Sequence, residues 1–288
     1  MVAGRDRMAW WPIRLGLRRG WIESQNQMRN WEEMSFNIFF ALAFAVVLFF
    51  QRNAVVEGTT QSLASLVLPG ILGMMVAWAG FGGAAGLLSV EREDGTLLRA
   101  KAIPHGMAAY LIARVVMLAL TTAVSLAIIF VAGLLFVPEL LATPPSGWLL
   151  VIGVLALGLV ATLPWGAILG SLVRSPQLAF GLTMLPIGVL TAISGIFYPI
   201  TALADWVQSI AQVFPIYWLG HGMRAALLPE AVAAEIGGVW RYGEMVAVLG
   251  AWAVVGLLLA PPVLRRMARR ESGSAVEERR QQAMQRYG

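Results

Sequence analysis

A chain of 288 residues that is 58% hydrophobic and only 13% charged, with a mean hydropathy of +0.72, has the composition of an integral membrane protein, since soluble domains carry roughly 25% charged residues. Its net charge of +5 is carried by basic residues gathered towards the chain ends, an arrangement that suits anionic lipid headgroups and makes nucleic acid a poor partner. The absence of Cys excludes a disulfide framework, a thiolate metal site and a thiol nucleophile, and the single lysine, Lys101, lies in no Gly-rich Walker A loop, so any ATP-driven work must come from a partner.

The basic N-terminal segment, 1–33, could be mistaken for a signal peptide, but its basic region is too long and no small-residue cleavage site follows. Leu17, Trp21, Met28 and Trp31 recur at nearly helical spacing while Arg14, Arg18, Gln25 and Arg29 fall on other faces. This predicts an amphipathic helix lying in the inner membrane interface, with an ordinary Trp and Arg anchor as the plainer alternative.

Six apolar runs then have the length that crosses a ~30 Å hydrocarbon core as helix. They cover 34–50, 63–90, 107–137, 148–173, 177–197 and 244–264, within a transmembrane region of 34–264, and a charged tail, 265–288, follows. The second run is long enough to tilt or extend beyond the bilayer, and its small residues Gly70, Gly73, Ala77, Gly80, Gly82, Gly83 and Gly86 permit close helix approach, either within one subunit or at a subunit seam. Pro164 is expected to kink the fourth. Between the fifth and sixth runs, Leu203, Trp206, Val207, Ile210 and Val213 form an apolar stripe with aromatic ends, which predicts a re-entrant helical hairpin. An extracellular loop packed on its own subunit is the simpler reading of the same residues. The fold class is thus an all-α polytopic membrane protein with six transmembrane helices, an N-terminal interfacial helix and a re-entrant hairpin.

Charge orients the chain. With the N-terminus inside, the inner segments hold the arginines of the N-terminal region, Arg92, Arg99, Lys101, Arg174 and the arginines of the tail, whereas the outer side holds only Arg52, Arg224 and Arg241. Both termini are therefore expected in the cytoplasm. Arg114, about one turn into the third span, is expected to snorkel inward.

The densest charge inside the apolar body is Glu91-Arg92-Glu93-Asp94-Gly95-Thr96-Leu97-Leu98-Arg99-Ala100-Lys101, running on to Pro104. A short helix there, acidic at its start and basic further along, suits docking to a soluble partner. The spans carry almost no ionisable groups in their centres, which argues against an ion-coupled transporter. His105 and His221 fall on opposite sides of the membrane, cannot share a metal, and are each read as structural. An alternative enzyme reading rests on Asp94-Gly95 followed by Arg99, which faintly matches the Asp-Gly-x-x-Ala-Arg signature of membrane-embedded lipid-head-group transferases. Its spacing fails, and no carboxylate follows Pro104 until Glu139.

Two regions together resemble the permease subunits of ABC type-2 exporters, the family of daunorubicin-resistance-type drug efflux permeases and of polysaccharide and lipid exporters. The carrying residues are Glu91-Arg92-Glu93-x-Gly95-Thr96-Leu97 with Pro104, and Ser194-Gly195-Ile196-Phe197-Tyr198-Pro199 followed by Trp206, Ile210-Ala211 and Phe214-Pro215. Ala100-Lys101-Ala102 departs from the more hydrophobic pair that the family often shows. The resemblance implies a plasma-membrane permease for hydrophobic or amphipathic substrates such as drugs, lipids or lipid-linked glycans. It implies a second copy of this chain or a homologous permease, and two ATPase subunits that bind ATP and Mg, with no cofactor in this chain. Glu91, Arg92, Asp94, Gly95, Thr96, Leu97 and Arg99 would then transmit ATPase closure, with Gly95 permitting the turn and Leu97 filling an apolar pocket. Substitution of Glu91 or Leu97 is expected to abolish transport without loss of folding. Substrate would pass between the second and fifth spans of facing subunits, with Trp78, Phe81, Ile193 and Phe197 as pathway residues. Import is opposed only by the lack of a recognisable dock for a binding protein.

Overall fold

The structure, a computed structural model, describes residues 3–56, 61–103, 106–173 and 175–270, and among these it is helical throughout, with one isolated antiparallel bridge between Val55 and Ser62. Expectations placed on Pro104, His105, Arg174 and the tail beyond 270 lie outside the described residues. In chain order the helices are α1 (Ala3–Arg29), α2 (Trp31–Gln51), α3 (Leu63–Trp78), a π turn (Ala79–Gly83), α4 (Ala84–Glu93), α5 (Thr96–Lys101), α6 (Gly106–Gly133), α7 (Pro145–Leu172), α8 (Pro176–Ile193), α9 (Asp205–Ala211), α10 (Pro215–Leu227) and α11 (Tyr242–Arg270). Six stretches are long and apolar enough to cross a membrane: Met34–Gln51, Leu63–Glu93, Gly106–Gly133, Pro145–Leu172, Pro176–Ile193 and Tyr242–Met267.

Helix starts follow local chemistry. Asn30, Ser62 and Ser175 each cap the helix that follows by accepting a backbone N–H, and Pro145, Pro176 and Pro215 stand at first positions where a missing N–H costs nothing. The ends differ from the expected limits for equally local reasons. The second span continues through Glu93, so Glu91, Arg92 and Glu93 are helical; the fifth stops at Ile193, because Gly195 adopts φ 62° and turns the chain. Pro164 lies inside α7 without ending it.

The second span is the central element, buried over most of its length, while the other spans turn broad apolar faces outward. Lipid tails offer helices no hydrophobic incentive to associate, so close packing of small residues carries the assembly. A Cβ on Gly73 would fall 2.5 Å from the backbone of Leu219 and Gly220 in α10, and one on Gly80 would overlap the side chain of Thr162 in α7. The small-residue row therefore divides: Gly70, Gly73, Ala77 and Gly80 are buried in contacts within the chain, whereas a Cβ on Gly86 would meet nothing within 4 Å.

The N-terminal helix departs from its expected setting. Pro12, Gly16, Gly20 and Ser24 are its buried residues, with Gly16 against Ala109 and Ile112 and Gly20 against Ala113 and Val116. α1 thus runs beside the first half of α6 in the same direction, through a row of small residues, and Leu17, Trp21 and Trp31 point away from that seam. Between the fifth and sixth spans, α9 exposes Trp206 and Ile210 of the expected stripe, and Val213 beyond it is exposed as well. By contrast every residue of α10 is buried, against α3, α7 and α11.

Candidate functional site

At one end of the bundle α4 gives way to α5 through Asp94-Gly95. Gly95 has φ 76° and ψ 11°, a left-handed conformation that a Cβ makes costly, and Asp94 Oδ1 accepts the Thr96 N–H at 2.7 Å to open α5. Arg99 donates from Nη2 to Thr96 Oγ1 at 2.9 Å. Asp94 and Arg99 are both exposed, so the outer face of the turn carries one acid and one base.

The other predicted residues of this turn face inward. Leu97 is 2% exposed and packs with Leu88, Ala100, Tyr110 and Met267. This corrects the role expected of it: the apolar pocket it fills belongs to its own chain. Arg92 Nη1 lies 2.9 Å from the Ser171 carbonyl oxygen, 3.0 Å from that of Val173 and 3.3 Å from that of Gly170. It caps the C-terminus of α7, where unpaired carbonyls and the helix dipole both favour a cation.

Glu91 is buried, accepts the Tyr110 hydroxyl proton and pairs with Arg114 Nη2. Arg114 Nη1 pairs with Glu23 of α1, which also accepts from Arg19 Nε at 2.7 Å. Arg114 stands between two carboxylates and joins α1, α4 and α6. Glu91 is thus an internal anchor, so its substitution is expected to cost stability as well as transport. Sequence reasoning missed Glu23 as the partner of Arg114 and Tyr110 as the partner of Glu91. The available signal was the scarcity of charge itself, since an arginine inside a span calls for a nearby carboxylate.

The carboxylates of this turn do not converge. Asp94 caps α5 while Glu91 is held by Tyr110 and Arg114, which leaves the transferase reading without its paired acids. The expected pathway residues are also dispersed. Trp78 is tilted against Phe40 with ring centroids 6.2 Å apart, Phe81 meets Trp252 edge-on at 6.3 Å, Ile193 ends α8, and the Phe197 carbonyl accepts from Gln51 Nε2 at 3.3 Å. Only Trp78 of the four borders the cavity beneath the start of α2.

A second polar cluster ties together the segment between the fifth and sixth spans. Arg224 of α10 donates Nε to Glu235 Oε1 at 2.5 Å and Nη1 to the Gly195 carbonyl at 3.3 Å, and His221 Nδ1 lies 2.8 Å from Glu235 Oε2. Burial alone would push the Glu235 carboxyl up, but the Arg224 guanidinium and the His221 contact outweigh it and hold it down at about 2. The same burial, with Glu235 alongside, raises the Tyr217 hydroxyl to about 12. His221 is fully buried between Tyr217, Trp218 and Trp240.

Six apolar helices in an all-α bundle, with two short helices inserted before the last, define a multi-pass membrane protein. A family model described as ABC-2 type transporter matches residues 15–228, from within α1 to the end of α10. The chain belongs to that family and is a permease component of an ABC transporter. No curated protein matches it.

Proposed function

We propose that this chain is the membrane subunit of an ATP-driven exporter, moving a hydrophobic or amphipathic substrate, and that the α4–α5 turn receives the force of a separate ATPase. The observation that carries this reading is the division of the turn into two faces. Asp94 and Arg99 are presented outward, while Glu91, Arg92 and Leu97 fasten the same turn to α6, α7 and α11. A push on the outer face would move the bundle, because three fastened residues transmit it; Gly95 and Thr96 shape the turn between them. The excess of arginines on one side supports a cytoplasmic position for this turn and for both termini. Two ATPase subunits would hold ATP and Mg, and a second copy of this chain or a homologous permease would complete the assembly. Trp78, Phe81, Ile193 and Phe197 remain the proposed lining of a pathway formed between facing subunits.

The experiment is co-purification and ATPase stimulation in a reconstituted complex. Since Glu91 and Leu97 are buried, the test falls on Asp94→Arg and Arg99→Glu, which reverse the exposed charges at the cost of the Asp94 cap on α5 and of the Arg99–Thr96 hydrogen bond. These variants are expected to fold, with Asp94→Arg losing about 1 kcal/mol for the missing cap, yet to lose both ATPase binding and transport. Full transport by the doubly reversed variant, or lipid turnover by the chain alone without ATP, would sink the reading.

A further inference from the structure

Under the elbow where α1 meets α2 lies a cavity of about 180 Å³, walled by the end of α1, the start of α2, the π turn and the middle of α6. Its shape has a local cause. On one side the π turn is pressed so closely onto α7 that Gly80 has no room for a Cβ, while on the other Trp78, Ala79 and Gly83 border open space. The mouth is aromatic: Phe36 is exposed on the outside of the bundle and meets Phe40 with ring centroids 4.7 Å apart.

The polar groups of this cavity are uncharged, and its hydroxyls offer lone pairs. Thr121 Oγ1 already donates to the Met117 carbonyl at 2.9 Å, Thr122 Oγ1 to that of Leu118 at 2.6 Å, and Ser125 Oγ to Asn37 Oδ1 at 2.8 Å. Each hydroxyl proton is thus committed, which leaves the oxygens as acceptors. Gln27 Oε1 is buried and has no hydrogen-bond partner at all. Among the described residues no charged side chain lines the space. A buried acceptor without a donor is costly, and an occupant that supplied one would relieve that cost.

We infer that this cavity is a binding site for a neutral, hydroxyl-bearing amphiphile dissolved in the membrane, of the long-chain alcohol or acylglycerol class. The hydroxyl would donate to Gln27 Oε1, and the first carbons of the chain would lie along Phe40, Met75 and Trp78. A cavity of roughly 150 Å³ holds a benzene-sized group, so this one takes on the order of six to eight carbon atoms and leaves the rest of the chain in lipid through the Phe36 mouth. A cationic headgroup has no carboxylate to meet there, and an anionic one no cation. The site is assigned from its own lining and does not depend on the export reading.

The test uses the full chain in phosphatidylcholine nanodiscs without any ATPase, and three photoactivatable probes of one chain length: a diazirine-bearing dodecanol, its methyl ether and its trimethylammonium analogue. Labelled positions are mapped by peptide mass spectrometry. The alcohol is expected to label the segments around Met34 and Met75 roughly tenfold more than the ether, the factor that one hydrogen bond supplies. Unlabelled dodecanol should compete. Ser125→Leu, which fills the cavity, should abolish that labelling while labelling near the outward-facing Leu185 stays unchanged, and Gln27→Leu, at the half-exposed end of α1, should erase the advantage of the alcohol. Equal labelling by alcohol and ether, stronger labelling by the cation, or labelling that survives Ser125→Leu would each overturn the assignment.

Discussion

Arg114 on α6 and Glu91 near the end of α4 form a buried ion pair, and the same guanidinium holds Glu23 of α1. One cation thus serves two carboxylates, with side chains 15%, 5% and 21% exposed for Arg114, Glu91 and Glu23. Removing the cation strands two partly buried acids. Arg114→Met is therefore expected to destabilise the protein by about 3–5 kcal/mol, the scale of a broken buried pair. Adding Glu91→Gln should recover part of the loss, because one stranded charge is removed as well. Thermal unfolding of the purified single and double variants measures both; additive losses would show that the pair is not coupled.

Gly95 carries the second prediction. Its φ of 76° places any other residue under strain, about 1–2 kcal/mol for an ordinary side chain in the left-handed region. Gly95→Ala should lower stability by about that amount, and Gly95→Asn by less, since Asn tolerates this conformation. If unfolding temperatures rank Asn below Ala, the turn is not held in the left-handed form.

Much of this architecture was legible in the chain. Apolar runs of spanning length leave few alternatives to helices, and the family resemblance implied a turn at Gly95. What could not be read was facing. Glu91, Arg92, Asp94 and Arg99 are equally charged in sequence, and only the packing of α4 against α6 and α7 sends the first two inward. That the pocket filled by Leu97 is made by Tyr110 and Met267 was not legible, because the docking of α5 depends on contacts distant in the chain. Likewise, Arg224 and His221 are buried in α10 because Glu235, in the following segment, reaches back to both. The row Pro12, Gly16, Gly20 and Ser24 was overshadowed by its more conspicuous apolar neighbours Leu17 and Trp21.

The cluster around Glu235 makes stability depend on acid. Its carboxyl titrates at about 2 in the folded chain against an ordinary value of 4.5, so the folded state favours the ionised form. A depressed carboxyl contributes stability that is fully present above pH 4.5 and is lost as pH falls towards 2, amounting to about 3 kcal/mol in all. Glu235→Gln should remove this dependence and lower stability at pH 7, where Arg224 is left buried without its counter-charge. Unfolding temperatures of the two proteins, measured from pH 7 to pH 3, are expected to converge as the medium is acidified. Parallel curves would show that Glu235 is not the titrating group.

Gly20 tests how α1 is attached. A Cβ there would stand 2.6 Å from the Ala113 carbonyl oxygen and 2.8 Å from Val116 Cβ, so any side chain must push α1 away from α6. Such a displacement also opens the Glu23–Arg114 pair one turn further along, which couples a packing defect to an electrostatic one. Gly20→Leu is therefore expected to raise hydrogen exchange across α1 and to weaken the pair, so that adding Arg114→Met to this background costs much less than it does in the unaltered chain. Leu17→Ala, on the outward face and about half-exposed, should change stability by less than about 0.5 kcal/mol and leave exchange in α1 as it was. If instead Gly20→Leu leaves α1 as protected as before, the helix is not seated on α6 through its small residues, and the route from the α4–α5 turn into the N-terminal helix is lost with that contact.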